Sequence, residues 1–282
     1  MKKKNRWGSV YLALMLLFMY APIAVLIAYS FNENKTMAKW TGFSLKWYVE
    51  LFKDKTIMDA LQVTVVVAIV SALAATLIGT AAAIGIDAMG KKRRMAILGI
   101  TNLPVVNPDL VTGVSLMLLY VFAFSALGRI GLSGRLGFGT LLVSHITFNI
   151  PYVILSVMPR LKKSSDTLYE AAMDLGARPG YALRRIVLPD IMPGVITGAV
   201  LAFTMSLDDF VVSFFTRQGV QNLSIVIYAM ARRGIKPKIN ALSALMFVVV
   251  LLLLLFINIR SARQQRKEEG RLRRSLRARQ DD

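Results

Sequence analysis

Long apolar runs alternate with short polar ones along the whole chain. Residues 8–31, 60–86, 96–127, 141–158, 194–215 and 239–259 are each predominantly apolar. A helix needs roughly 20 such residues to cross a bilayer, with about 17 as the lower end. The pattern therefore predicts six transmembrane helices and an all-α, polytopic membrane fold. Lys2, Lys3, Lys4 and Arg6 precede the first run, which is longer than the apolar core of a cleaved signal peptide. It reads as the first span, with its N-terminus inside and a kink at Pro22. The second run carries Ala74, Ala75, Gly79, Ala81, Ala82, Ala83 and Gly85. Small residues let helices approach closely, so this span is expected inside the bundle. The third run is expected to break at Pro104 and Pro108, with Asn107 and Asp109 forming irregular polar backbone at membrane depth. Such backbone survives only inside protein or beside a wet cavity.

The polar intervals change the picture in one way. The loop over 32–59 holds Trp40, Phe43, Trp47, Tyr48 and Phe52 among charged residues, which suits the headgroup zone. Residues 45–52 are expected to lie there as an amphipathic helix. A second short outer helix is expected over 223–230.

Charge supplies the orientation. The chain has 35 Lys and Arg against 16 Asp and Glu, a net charge of +19. With six spans, the inside segments hold 23 of the basic residues and the outside ones 12. The positive-inside rule thus puts both termini in the cytoplasm. Residues 1–259 read as one six-span transmembrane domain and 260–282 as a basic tail, expected to lie against the anionic headgroups of the bilayer. No aromatic or fold signature joins that charge, so nucleic acid is not an expected partner.

The chemistry is narrow. There is no cysteine and one histidine, His145, which excludes thiol chemistry, a His-based metal site and a Ser-His-Asp triad. His145 is expected to be a buried hydrogen-bonding partner. Gly90-Lys91-Lys92 lacks the preceding glycine and the following hydroxyl of a P-loop. No enzyme, metal or cofactor is expected.

One soluble-looking stretch interrupts the apolar pattern, residues 165–190, within a cytoplasmic loop over 160–191. It reads as two short helices. Thr167 would N-cap the first, with Glu170 completing a capping box. Gly176 suits the left-handed position that ends it. Pro179 would open the second helix, and Pro189 would stop it. Glu170, Ala171, Ala172, Gly176, Ile186, Leu188 and Pro189 stand at the spacing of the "EAA" loop. The chain here resembles the membrane subunits of ABC importers. The resemblance implies a coupling helix docked on a separate ATPase, a type I importer permease fold and a cell inner-membrane location. Its implied partners are a second permease subunit (a heterodimer), two ATP-binding subunits and an extracytoplasmic substrate-binding protein.

Carboxylates at membrane depth are costly and are functional candidates by default. Asp109 and Asp208 each lie about 20 Å into their runs at 1.5 Å per residue. Asp208 and Asp209, taken as neighbours on one helix, would point roughly 100° apart, so one would face a path and the other a neighbour. Acidic groups in a wet path suit a cation, and aromatic faces can add attraction. Tyr120, Phe148, Tyr152, Phe210 and Phe214 are available. Ser206-Leu207-Asp208-Asp209 with Pro108-Asp109 resembles the second permease subunit of spermidine/putrescine importers, over nearly the whole chain. That implies polyamine transport, with Asp109, Asp208 and Asp209 on the substrate path. Ferric iron, a cationic amino acid or a secondary cation transporter remain alternatives at this point.

Overall fold

In the computed structural model, the described residues are 6–34, 39–107, 109–129, 134–234, 237–252, 254–255 and 259; side chains of 6, 7, 9 and 163–168 are outside the description. Among the described residues there is no strand, only one bridge between Asn32 and Phe43. The helices are α1 (Arg6–Ser30), α2 (Lys46–Lys53), α3 (Lys55–Asp87), α4 (Lys91–Val106), α5 (Asp109–Gly128), α6 (Phe138–Asp174), α7 (Pro179–Ala182), α8 (Leu188–Asp208), α9 (Val211–Thr216) and α10 (Leu223–Arg232). An apolar helix α11 follows (Pro237–Leu252). A π-turn, Leu183–Val187, joins α7 to α8. Five stretches are long and apolar enough to span a membrane, lying in α1, α3, α5, α6 and the α7–α8 segment. The sixth expected span begins as α11. Residues 253 and 256–258 of that span, Pro108 and the basic tail 260–282 lie outside the described residues.

Residues 56–226 form one compact unit, and residues 1–55 with 227–282 another. In the latter, the outer loop is tied to the end of α1. The Trp47 indole N–H donates to the Asn32 carbonyl at 2.7 Å, and Phe31 lies against Phe43 and Tyr48. Trp47 and Leu51, four apart on α2, are buried, while Val49 and Phe52 are exposed. This is the amphipathic helix expected over 45–52. The Lys238 ammonium pairs with Asp54 at 2.7 Å.

The larger unit departs from the sequence reading in four places. Pro104 does not break the third run; it sits inside α4. The break falls at Asn107, whose backbone is extended. A residue before proline is pushed out of the helical region, and Pro108 follows. The basic residues 91–94 form the first turn of α4, and Arg94 pairs with Asp87 at 2.9 Å.

The fourth run is longer than expected. α6 has 37 residues, about 55 Å at 1.5 Å per residue. Thr167 and Glu170 lie inside it, so neither starts a helix, and the expected capping box is absent. An apolar span and a polar extension share one helix, which runs through Pro151 and Pro159. Pro189 does not stop the second coupling helix either. The Leu188 N–H bonds to the Leu183 carbonyl, a π-type contact. Proline would clash with the carbonyl four residues back, and a π-turn placed just before it relieves that clash.

The last departure is in the fifth run, which breaks at Asp209 and Phe210 between α8 and α9. The 100° argument for Asp208 and Asp209 assumed a continuous helix and does not apply.

The core is a close approach of α3, α6 and α8. Val153 on α6 is fully buried. A Cβ at Gly79 of α3 would stand 2.8 Å from its Cβ, and one at Gly198 of α8 would stand 3.1 Å from its Cα. Both glycines exist to admit this valine. Gly79→Ala is expected to cost about 1–3 kcal/mol through overpacking. It should lower the melting temperature in detergent, and Val153→Ala on top of it should restore part of the loss. An unchanged melting temperature for Gly79→Ala would refute the clamp.

Candidate functional site: an acidic cavity and an exposed turn at the far end of one helix

Two helix breaks meet at one cavity. It measures about 260 Å³ and is lined by Pro104 of α4, Asp109 and Thr112 of α5, Phe148 and Tyr152 of α6, and Met205 and residues 208–212 around the second break. All three expected carboxylates reach it, and no Lys or Arg is among its lining residues. Sequence reasoning left open which aromatics face inward; Phe148, Tyr152 and Phe210 do. Thr112 and Met205 were missed, and only packing could have found them.

The carboxylates differ in setting. Asp109 is the first residue of α5, where the positive end of the helix dipole favours an anion. Asp208 is the last residue of α8, where the dipole disfavours one. The open carbonyls of that last turn and the carboxylate together would be relieved by a cation. Asp209 is committed elsewhere. Its carboxylate accepts the Val212 N–H at 3.2 Å, the Ser213 N–H at 2.8 Å and the Ser213 hydroxyl at 2.7 Å. It caps α9, and its side chain is nearly buried.

Behind Asp209 lies a buried polar chain. The Ser213 hydroxyl oxygen accepts from the Asn222 amide at 2.8 Å and stands 2.9 Å from His145 Nε2. His145 Nδ1 is 2.6 Å from the Ser206 hydroxyl, which is 3.0 Å from the Ser71 hydroxyl. With the Ser213 hydroxyl donating to Asp209, His145 donates from Nε2 to Ser213 and accepts at Nδ1 from Ser206. His145 is thus the buried hydrogen-bonding partner that the sequence suggested.

The other residues singled out from sequence gather at the far end of α8. α6 ends with the Gly176 N–H on the Met173 carbonyl at 2.9 Å and the Ala177 N–H on the Ala172 carbonyl at 3.0 Å. Gly176 has φ +82°, so this is a Schellman close, which needs a left-handed residue at that place. Pro179 opens α7 as expected. Ala172 is buried, Glu170, Ala171 and Pro189 are exposed, and Ile186 and Leu188 are half-buried. Glu170 borders a second cavity of about 430 Å³ with Asp87, Tyr169 and Leu183. Two residues were missed: Leu175 is 89% exposed and Tyr181 60%. An apolar Leu175 beside a chain-reversing glycine was the available signal. α8, 21 residues long, connects this surface to the acidic cavity over about 30 Å.

Comparisons with known proteins give the family and the fold. Residues 75–269 match the family described as "Binding-protein-dependent transport system inner membrane component". The putrescine transport system permease protein PotI of Escherichia coli K12 is 39% identical over 249 residues, covering 88% of each chain. The spermidine/putrescine transport system permease protein PotC of Shigella flexneri is 37% identical over 254 residues, covering 90% of this chain and 92% of that one. Among solved structures, a bacterial ABC transporter for the acidic polysaccharide alginate superposes with a TM-score of 0.70 at 21% identity, covering 91% and 94% of the two chains. That likeness gives the fold, an ABC transporter permease fold. Together the match over most of the chain and the close relatives show that this chain belongs to the binding-protein-dependent transport system inner membrane components.

Proposed function

We propose that this chain forms part of the translocation path of a polyamine importer and transmits the work of a separate ATPase to it. The observation that carries the substrate class is the cavity: Asp109 and Asp208 open into it beside Phe148, Tyr152 and Phe210, with no basic residue in the lining. An alkyl diammonium needs a carboxylate for its charge and apolar or aromatic walls for its stem. Relatives at 37–39% identity carry putrescine or spermidine/putrescine in their names, which supports the same class. Of the three aspartates, Asp109 and Asp208 contact the substrate in this reading. Asp209 caps α9, on the far side of the break that follows Asp208.

The coupling surface supports the remainder. Leu175 and Tyr181 would enter a groove on an ATP-binding subunit, with Glu170, Ala171, Ala172, Gly176, Ile186, Leu188 and Pro189 shaping the support beneath them. The complex would hold a second permease subunit and two ATP-binding subunits, with an extracytoplasmic binding protein delivering substrate. This chain would carry no ATP site, and both termini would be cytoplasmic. Residues 260–282 would rest on anionic lipid.

Three outcomes are expected of the assembled transporter in vesicles. Asp208→Asn and Asp109→Asn should each lower labelled putrescine uptake by at least tenfold, as about 1.4 kcal/mol of lost cation stabilisation would, with basal ATP hydrolysis retained. Full uptake by both variants would remove them from the path. Gly176→Val forces a β-branched residue into a left-handed conformation at about 1–2 kcal/mol and should uncouple hydrolysis from uptake while the protein still reaches the membrane. Leu175→Glu should release the ATP-binding subunit during purification, as loss of a central apolar anchor does at about 2 kcal/mol or more. Co-purification at wild-type yield would exclude that anchor.

A further inference from the structure

We propose that His145 is a positioning residue for the acidic cavity: its ring braces the two limbs of the α8–α9 break and the aromatic wall beside them, and so sets where Asp208 stands. This rests on the reading of the cavity as a cation path. His145 is itself absent from the cavity lining. Its influence passes through three contacts. Nδ1 is held at 2.6 Å to Ser206, two residues before Asp208. Nε2 is held at 2.9 Å to Ser213, in α9 beyond the break. The ring lies 5.2 Å from that of Phe148, centre to centre, and Phe148 does line the cavity.

The chemistry explains why histidine is suited to the place. The two limbs of a broken helix offer one hydroxyl each, and both must be held from a third helix. A rigid ring with polar atoms on opposite edges reaches both at once; a single hydroxyl cannot. Nε2 also stands 3.5 Å from the Asp209 carboxylate that caps α9. Ser71 closes the chain from α3 at 3.0 Å. The break is therefore pinned from α3 and α6 together. Loss of the imidazole leaves Ser206 and Ser213 buried with a partner missing, and the limbs are free to relax toward the open cavity.

The absence of cysteine from the chain gives a clean test. Met205→Cys places a thiol in the cavity wall. Lys92→Cys places one on the exposed first turn of α4 as a control. Each is built with His145 intact, with His145→Ala, with His145→Gln and with Ser213→Ala, in the complete transporter in membranes. The probe is a water-soluble, positively charged methanethiosulfonate. In His145→Ala the cavity thiol should react about tenfold faster, as expected for a lost hydrogen bond in a charged network, with the control thiol unchanged. His145→Gln can still donate to Ser213 and should fall between. Putrescine uptake per ATP hydrolysed should drop by a similar factor. Should His145→Ala fail to accumulate, His145→Gln and Ser213→Ala carry the same comparison. An unaltered rate at the cavity thiol overturns the inference, as does an equal rise at both thiols, which marks general loosening. A wild-type complex that ignores putrescine defeats the polyamine reading alone, since the labelling ratio needs no substrate.

Discussion

A membrane-spanning helix can be broken only if something else satisfies the backbone groups that the break releases. Here that something is Asp209. Its carboxylate takes the first free N–H groups of α9 at Val212 and Ser213, replacing the carbonyls that a continuous helix would have supplied. A carboxylate in this setting is itself costly, and the cost is offset by the Ser213 hydroxyl and by the Asn222 and His145 groups behind it. The chain bends, and the bend turns Asp208 into a cavity that also receives Asp109. The shape of the cavity depends on that exchange of bonds.

The rest of the larger unit makes the bend stiff. Gly79 and Gly198 admit Val153 from either side. Gly113 brings α5 against α9, where a Cβ would stand 3.1 Å from Phe215. Thr140 of α6 donates to the Thr216 carbonyl at 2.7 Å, holding the end of α9. Thr64 of α3 accepts the Leu223 N–H at 2.7 Å, holding the loop beyond. Helices in lipid gain no hydrophobic drive from meeting each other, so close contact and directed hydrogen bonds carry their association. The same contacts make α8 a rod rather than a hinge. At its other end the π-turn carries the helix past Pro189 without a stop. One continuous helix thus joins Pro189 to Asp208.

Periodicity and length were enough to mark the spans, the amphipathic outer helix and the coupling stretch with its glycine close. Charge counting gave an orientation, and the spacing from Glu170 to Pro189 carried the family resemblance. These features are local: they depend on runs, on single-residue conformational preferences and on charge. Two of the misreadings share one cause. Thr167 has the residue type of a cap and Pro189 that of a stop, yet both lie in continuous helix. Propensity is a weak preference that a long, well-packed helix overrides, and α6 and α8 are such helices.

The sequence by itself marked apolar runs long enough to span a membrane and carboxylates within them, because burying charge and exposing apolar surface both carry large energies. Only the tertiary structure decided which aspartate caps a helix and which opens into a cavity. Only it joined Ser71, His145, Ser206 and Ser213, residues up to 142 positions apart, into one chain of hydrogen bonds. A hydrogen bond is short and directional, so its partner is chosen by where helices pack and not by anything written beside it in the sequence.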